Sequence, residues 1–184
     1  MVEPWREGKG RIGVLRIGHR PGRDKRITTH VCLTARALGA DVVYVHEPDE
    51  RVLESVDGVV KRFGGPFETH LVASWRDIMR SWKARGAQVV HLTMYGIPLD
   101  EAVSRLDAER DLLVVVGAEK VPWEVYEEAE VNVSVGSQPH SEVAALALFL
   151  DRATKGEWDL RPFEGEVRVV PSEKGKAVSK GNAQ

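Results

Sequence analysis

The feature that most constrains the fold of this chain is a repeated alternation of short apolar segments with longer helix-like segments. Several of the short segments are almost continuously apolar, such as the LLVVV run that begins at Leu112. Strands of this kind are buried on both faces, as in parallel sheets that are covered by helices. The predicted strands are Arg11–Gly18, Asp41–His46, Glu68–Ala73, Gln88–Met94, Leu112–Gly117 and Val131–Val135.

Helices are predicted in the intervals between these strands. Gly39 and Gly86 stand where a helix C-terminus favours a left-handed residue, which supports the assignment. The predicted helices are Thr28–Leu38, Glu50–Phe63, Arg76–Arg85, Leu99–Asp107 and Ser141–Thr154. The expected fold class is therefore α/β, a mostly parallel sheet with helices on both faces and right-handed crossovers.

The chain is predicted to form a single domain. Its 184 residues, 42% of them hydrophobic, suit one sizeable core. We place this domain at residues 1–170 and predict that the polar, Lys-rich residues 171–184 form a disordered tail. Segment Glu164–Val170 alternates like a strand, which predicts either an edge strand or an arm exchanged in a dimer.

Composition argues against several classes of protein. The longest apolar runs, Leu112–Val116 and Val143–Leu150, are far too short to span a bilayer, and the first ten residues lack an apolar signal core. The single cysteine, Cys32, excludes a disulfide framework and a cysteine-built zinc site. The six histidines show no metal-ligand spacing. We therefore expect a cytoplasmic protein without a membrane segment or a metal.

The loop after the first predicted strand, Gly18–His30, is strongly basic. The net charge of −2 conceals this feature, because residues 1–36 contain nine Lys or Arg and three Asp or Glu. Guanidinium groups and the free amides of a helix N-terminus both suit phosphate oxygens. The alternative is a solvated turn whose Asp24 pairs with a neighbour. The position of the loop at the carboxyl end of the sheet favours a functional role.

Two further loops follow the most apolar strands and predict a pocket for a small polar molecule. They are Val116–Pro122 and the segment that runs from Val135 into the last helix. Gly117 and Gly136 would allow a ligand to approach the backbone closely. Segment His91–Gly96 would form a third wall. The literal G-x-G-x-x-G at residues 8–13 precedes the first strand, so it cannot act as a dinucleotide fingerprint.

Taken together, three segments resemble a known family. LRIGHRPGRDKRITTHVCLTARALGA, VVVGAEKVP and NVSVGSQPHSEVAALALFLDR are similar to the archaeal tRNA (cytidine-56) 2′-O-ribose methyltransferases of the SPOUT superfamily. The resemblance implies a C-terminal deep trefoil knot at about residues 88–155, S-adenosylmethionine as cofactor, tRNA as substrate and an obligate homodimer. It implies cofactor contacts by Leu92, Gly117, Ala118, Glu119, Lys120, Val121, Val135, Gly136, Ser137, Gln138, Pro139, His140, Ser141 and Glu142.

The sequence departs from the family pattern at the catalytic position. Many ribose-methylating relatives place an asparagine and then an arginine on the helix after the first strand, where this chain has Ile27 and Leu33. The catalytic charge must then come from Arg20, Arg23 or Arg26, and we assign it to Arg20 and Arg23. The neighbouring side chains Lys25, Arg26, His19 and His30 are predicted to contact RNA, and either histidine is an alternative general base.

Two other classes of function remain open at this point. One is a non-catalytic RNA- or nucleotide-binding module, and the other is a SPOUT methyltransferase that acts on a base. RNA binding is expected to be electrostatic, with further contacts from Lys61, Arg62, Arg80, Lys83 and Arg85. The apolar segment Val143–Leu150 is predicted to contribute to a dimer interface, to a core helix, or to both.

Overall fold

The computed structural model of the chain describes residues 8–20, 22–47, 49–118 and 120–181. Six strands form the main sheet: β1 (Ile12–Ile17), β2 (Val42–His46), β3 (Glu68–Val72), β4 (Gln88–Pro98), β5 (Leu112–Gly117) and β6 (Val131–Ser134). The helices are α1 (Lys25–Ala37), α2 (Glu50–Phe63), α3 (Trp75–Ala84), α4 (Leu99–Val103), α5 (Trp123–Glu128) and α6 (Glu142–Ala153). A 3-10 helix, Glu157–Leu160, precedes a hairpin of β7 (Val167–Val170) and β8 (Ala177–Lys180).

The main sheet has the strand order β3-β2-β1-β5-β4-β6. Every pair of neighbouring strands is parallel, which confirms the predicted sheet. β1 therefore lies between β2 and β5, where the direction of strand addition changes. β6 pairs with β4, so the chain that leaves β5 crosses β4 to reach the edge of the sheet. Ligand sites of open parallel sheets lie beyond the carboxyl ends of strands at such a point.

Helices cover both faces of the sheet, as predicted. On one face, Val31 of α1, Val52 of α2 and Phe149 of α6 pack in a single apolar cluster. On the other face, Trp82 of α3 and Val125 of α5 belong to a second cluster. Continuous burial of β1 and of five residues of β5 follows from this arrangement, because each strand contributes side chains to both clusters.

The six predicted strands are present, while the helix predictions need two corrections. Helix α4 ends at Val103 rather than at Asp107, and α5 was not predicted. The six residues of α5 show too few turns for a helical period to be visible in the sequence. Pro122 before α5 supplies the start, because proline lacks an N–H and its fixed backbone suits a first helical turn.

The glycines near the N-terminus serve packing. A Cβ on Gly10 would lie 2.0 Å from the carbonyl oxygen of Arg110, and a Cβ on Gly13 would lie 2.5 Å from the Trp82 ring. Both glycines therefore allow close approach of protein atoms, as expected of a G-x-G-x-x-G sequence that does not bind a nucleotide.

The expectation of a disordered tail over residues 171–184 is wrong for residues 177–180. These residues form β8, which pairs antiparallel with β7 and places Val178 opposite Val169. The short alternation A-V-S-K is the sequence pattern that indicates this strand. It was overlooked because the segment around it is rich in lysine. Segment Glu164–Val170 contains a strand, as predicted, although its partner is β8 and not the main sheet.

A buried arginine fixes the chain that leads from α6 to this hairpin. Arg161 donates hydrogen bonds from Nη1 to the carbonyl oxygen of Ala40 at 2.5 Å and from Nη2 to Asp41 Oδ1 at 3.1 Å. Nη2 also donates to the carbonyl oxygen of Pro66 at 3.1 Å. The segment after α6 is thereby attached to the start of β2. Within the described residues, no helix is long and apolar enough to cross a membrane.

Candidate functional site

A cavity of about 360 Å³ opens at the carboxyl ends of β4, β5 and β6. Its walls come from residues that follow or end these strands and from the first turn of α6. This volume falls at the lower end of the range that small-molecule sites occupy. The strand order therefore brings together three segments that are distant in the sequence.

Ten of the fourteen side chains predicted to contact a cofactor line this cavity. Lys120, Ser137 and Ser141 do not line it, and Glu119 lies outside the described residues. The ten that line it are Leu92, Gly117, Ala118, Val121, Val135, Gly136, Gln138, Pro139, His140 and Glu142.

The cavity also contains residues that were not predicted as cofactor contacts individually. Segment His91–Gly96 was expected as a wall, and His91, Thr93, Met94 and Tyr95 of this segment line the cavity. Tyr126 belongs to α5, so it was missed together with that helix. Val116 and Ala145 complete the lining. The spacing of two aromatic residues, Trp123 and Tyr126, by three positions was the one feature of the sequence that could have indicated Tyr126.

The two loop glycines have different roles within their own loops. A Cβ on Gly117 would lie 2.0 Å from Cγ2 of Val121, so this glycine makes room for a side chain of its own loop. Gly136 has a φ of 76°, a left-handed conformation, and the space beside its Cα is open. Gly136 is therefore required for the turn after β6.

Hydrogen bonds within the third loop fix its shape. Ser134 Oγ donates to the carbonyl oxygen of Gly136 at 2.7 Å, and His140 Nε2 lies 2.5 Å from the carbonyl oxygen of Val135. Ser141 Oγ accepts from the Val143 amide at 3.2 Å and caps α6. Capping explains why Ser141 faces away from the cavity.

Glu142, which lines the cavity, is held by an arginine that the sequence analysis did not single out. Arg16 of β1 has no exposed surface and donates from Nη2 to Glu142 Oε1 at 2.9 Å. Burial lowers the pKa of Arg16, and the nearby carboxylates of Glu142 and Asp24 oppose that shift. Nε and Nη1 of Arg16 are buried with no hydrogen-bond partner among the described residues.

His91 is a second buried polar residue in the cavity wall. Its Nδ1 lies 2.9 Å from Asn132 Oδ1, and its ring meets Tyr126 edge-on at a centroid distance of 4.6 Å. Burial lowers the pKa of His91, so the ring is neutral near pH 7. Its Nε2 has no partner among the residues that the structure describes.

The basic loop after β1 is partly neutralised within the chain. Arg20 donates from Nε to Asp24 Oδ2 at 2.8 Å and from Nη2 to Asp24 Oδ1 at 3.0 Å. This hydrogen bonding from Arg20 lowers the pKa of Asp24. The pairing is the one that the alternative interpretation of a solvated turn anticipated, so the charge of Arg20 is shared with Asp24.

His19 does not face solvent as an RNA-contacting residue must. It is 1% exposed, with Nδ1 2.8 Å from Thr28 Oγ1 and Nε2 3.4 Å from Asp49 Oδ2. In this arrangement His19 joins the loop to the starts of α1 and α2. Arg23, Lys25, Arg26 and His30 are exposed, so four of the six predicted cationic or histidine side chains are accessible to a polyanion.

The described residues contain no group of three or more His, Cys, Asp or Glu side chains placed to hold a metal ion. Cys32 is buried against the apolar core, and desolvation raises the pKa of its thiol to about 12. The chemistry that the site offers therefore comes from a cavity with few charged groups and an exposed basic loop nearby.

Comparison with known proteins decides the family. The model of the family described as tRNA ribose 2′-O-methyltransferase, aTrm56, matches residues 63–179. The chain belongs to this aTrm56 family. A tRNA (cytidine(56)-2′-O)-methyltransferase of Thermococcus kodakarensis is 59% identical over 173 residues, which cover 91% of this chain and 96% of that protein. One of Methanopyrus kandleri is 57% identical over 172 residues, covering 92% and 97%.

The fold of this aTrm56 member is also that of solved SpoU proteins. The SpoU methyltransferase AviRb from Streptomyces viridochromogenes, in complex with AdoMet, superposes with a TM-score of 0.60 at 21% identity. The match covers 80% of this chain and 58% of that one. The family expected from the sequence and the α/β fold class are therefore confirmed.

Proposed function

We propose that this chain transfers a methyl group from S-adenosylmethionine to the 2′-hydroxyl of cytidine-56 in the T-loop of tRNA. The observation that carries this proposal is the 59% identity, over nearly the whole of both chains, to a tRNA (cytidine(56)-2′-O)-methyltransferase. The aligned length includes the three cavity loops and the basic loop. The high identity therefore favours the same reaction in both proteins.

The cavity has the properties that this cofactor requires. It combines apolar walls from Leu92, Val116 and Val121 with the polar side chains of Gln138 and Glu142. A nucleoside with a charged tail needs both kinds of surface. AviRb, which shares the fold, has AdoMet in its crystal structure. We assign the cofactor to this cavity, with the ten lining residues predicted from the sequence as its contacts.

When bound, the cofactor supplies a methyl group that is already activated on a sulfonium. The residues of the chain then have to hold the ribose hydroxyl in line with that carbon and assist the loss of its proton. Arg20 and Arg23 both belong to the basic loop after β1, where Arg20 is bonded to Asp24. We expect these two arginines to hold the substrate phosphate and to stabilise the alkoxide that develops on the ribose.

Three further properties belong to this proposal. We expect a homodimer, with Leu148 of α6, which is 47% exposed, in the interface. We expect a trefoil knot in residues 88–155, because the crossing of β4 by the β5–β6 connection is compatible with one. Since tRNA is the proposed substrate, we expect the enzyme to act in the cytoplasm.

Methyl-labelled S-adenosylmethionine tests the reaction directly. The full chain is incubated with an unmodified tRNA transcript and, separately, with one that carries 2′-deoxycytidine at position 56. We expect label in the first transcript and none in the second. Label in both would exclude cytidine-56 ribose as the acceptor, and label in neither, with a folded protein, would contradict the proposed activity.

A further inference from the structure

A buried nitrogen of a residue in the cavity wall has no hydrogen-bond partner among the described residues. His91 has no exposed surface, yet it lines the cavity, and its Nε2 makes no hydrogen bond with any described residue. Buried polar atoms are nearly always satisfied, so an unsatisfied one needs an explanation. At the wall of a binding cavity, the simplest explanation is a ligand atom that completes the hydrogen bond.

Two hydrogen bonds determine which kind of ligand atom Nε2 accepts. Asn132 donates from Nδ2 to the carbonyl oxygen of Tyr126 at 2.9 Å, and this leaves its Oδ1 to accept. Oδ1 lies 2.9 Å from His91 Nδ1, so Nδ1 carries the ring proton and Nε2 has the free lone pair. Burial lowers the pKa of His91 and so favours a neutral ring, in which only one of the two nitrogens carries a proton. Nε2 is therefore a hydrogen-bond acceptor that requires an N–H or O–H donor.

The surroundings of Nε2 favour the flat part of a nucleoside. Val121, which lines the cavity, packs on the same face of the sheet as His91, and the ring of Tyr126 stands edge-on to the imidazole. Among the other polar side chains of the lining, Thr93 and Tyr126 are hydrogen-bonded to each other at 3.0 Å and Glu142 is bonded to Arg16. The remaining ones, Tyr95, Gln138 and His140, are exposed. A heteroaromatic ring with one exocyclic amino group suits an apolar end of the cavity with Nε2 as its one free acceptor. A ribose or a charged tail needs more polar partners.

We propose that His91 Nε2 accepts a hydrogen bond from the 6-amino group of the adenine of the bound cofactor, and that Asn132 sets the tautomer. This inference rests on the proposed function, because it assumes that the cavity binds S-adenosylmethionine. His91 is then the residue that selects an adenine nucleoside over other purines.

Calorimetry with two neutral ligands tests this inference without measuring methyl transfer. The ligands are S-adenosylhomocysteine and its analogue with hydrogen in place of the 6-amino group, so they differ only in the donor. We expect the wild-type protein to bind the amino compound about tenfold more tightly, since a lost bond to a buried acceptor costs that much affinity. In His91→Phe the two affinities become nearly equal.

His70→Phe is the matched control, because it removes an exposed histidine from β3 of the same sheet, far from the cavity lining. It should leave the tenfold ratio unchanged. A ratio that persists in His91→Phe, or a wild-type ratio near one, overturns the inference while the cofactor site stands. A folded wild-type protein that binds neither ligand would instead contradict the proposed function.

Nitrogen NMR of the unmutated protein keeps the test decisive if His91→Phe fails to fold. In protein labelled with ¹⁵N at histidine, we expect His91 to be protonated at Nδ1 and unprotonated at Nε2. The Nε2 resonance should shift on addition of S-adenosylhomocysteine, and should shift less with the analogue that lacks the amino group. A proton on Nε2 in the free protein, or equal shifts with both ligands, would overturn the inference.

Discussion

Arg16 and Glu142 form an ion pair whose two members differ in their access to water. The side chain of Arg16 is fully buried, whereas that of Glu142 keeps 24% of its surface exposed. Loss of the arginine would leave a carboxylate that water can still reach. Loss of the glutamate would leave a buried cation, with the carboxylate of Asp24 nearby to compensate part of its charge. The two substitutions therefore have unequal costs.

We predict that Glu142→Ala lowers the free energy of unfolding by about 3 kcal/mol, because it removes the partner of a buried charge. Arg16→Met replaces a guanidinium that has two unpaired donors, and we expect it to change stability by less than about 1 kcal/mol. Urea denaturation of both variants measures the difference. In the double variant the cost of Glu142→Ala should largely disappear, and an equal cost with Arg16 present or absent would contradict the pairing.

Some residues of the site could be predicted from the sequence, and others could not. The loops that contain Gly117 and Gly136 could be located from the sequence, because apolar strands end there. The buried ion pair of Arg16 could not be predicted. An arginine inside a strand is usually interpreted as an edge residue, and the partner of Arg16 lies 126 positions later in the sequence. The contacts of the His19 ring with Thr28 and Asp49 also could not be predicted, because they are tertiary contacts that the local sequence does not encode.

At the scale of elements, the hairpin of β7 and β8 depends on the anchor that precedes it. An isolated two-stranded hairpin is marginally stable in water. Here its base is fixed by close backbone contact, because a Cβ on Gly64 would lie 2.0 Å from the carbonyl oxygen of Glu164. Arg161, three residues earlier, bonds to Ala40, Asp41 and Pro66. The hairpin is therefore held at its base, while its strands are mostly exposed.

We expect Arg161→Met to lower the free energy of unfolding by about 3 kcal/mol, since Asp41 Oδ1 and two carbonyl oxygens lose the hydrogen bonds that Arg161 donates. Arg168→Met, on exposed β7, is the control and should cost less than about 0.5 kcal/mol. Chemical denaturation gives both values. Similar costs for the two variants would show that Arg161 does not anchor the segment.

Many of the elements that could be predicted have a long or continuous apolar pattern. Strands β1, β2 and β5 and helices α2 and α6 belong to this group. Short α5 was missed because six residues carry little periodicity, and β8 was missed because its neighbours are charged. Both are stabilised by contacts made elsewhere in the chain, so their own sequences contain only part of the information.

At the scale of the whole molecule, charge is separated along the chain. Residues 1–36 carry an excess of six basic side chains, nine against three, while residues 107–130 carry eight acidic and two basic ones. A polyanion such as tRNA is attracted to the first region and repelled by the second. The orientation of the bound RNA should therefore follow from electrostatics before any base is recognised.

We predict that the affinity for tRNA falls steeply as salt concentration rises, because each phosphate contact releases counterions. Lys25→Gln and Arg26→Gln should each reduce the slope of log K against log salt by about 0.7 to 0.9. Arg105→Gln is the control, since this arginine is paired with Glu101 on α4. Filter binding at several salt concentrations supplies the slopes, and slopes equal to wild type for Lys25→Gln and Arg26→Gln would remove these residues from the interface.

The pairing of β1 with β5 also determines when the molecule can become folded during its synthesis. Ile12 lies opposite Leu112 and Ile17 opposite Gly117, so the central pair of the sheet joins residues 100 positions apart. A nascent chain that ends before β5 can pair β1 with β2 but leaves the other edge of β1, an apolar strand, without a neighbour. Folding should therefore be slow, and nascent chains of intermediate length should be the ones most in need of a chaperone.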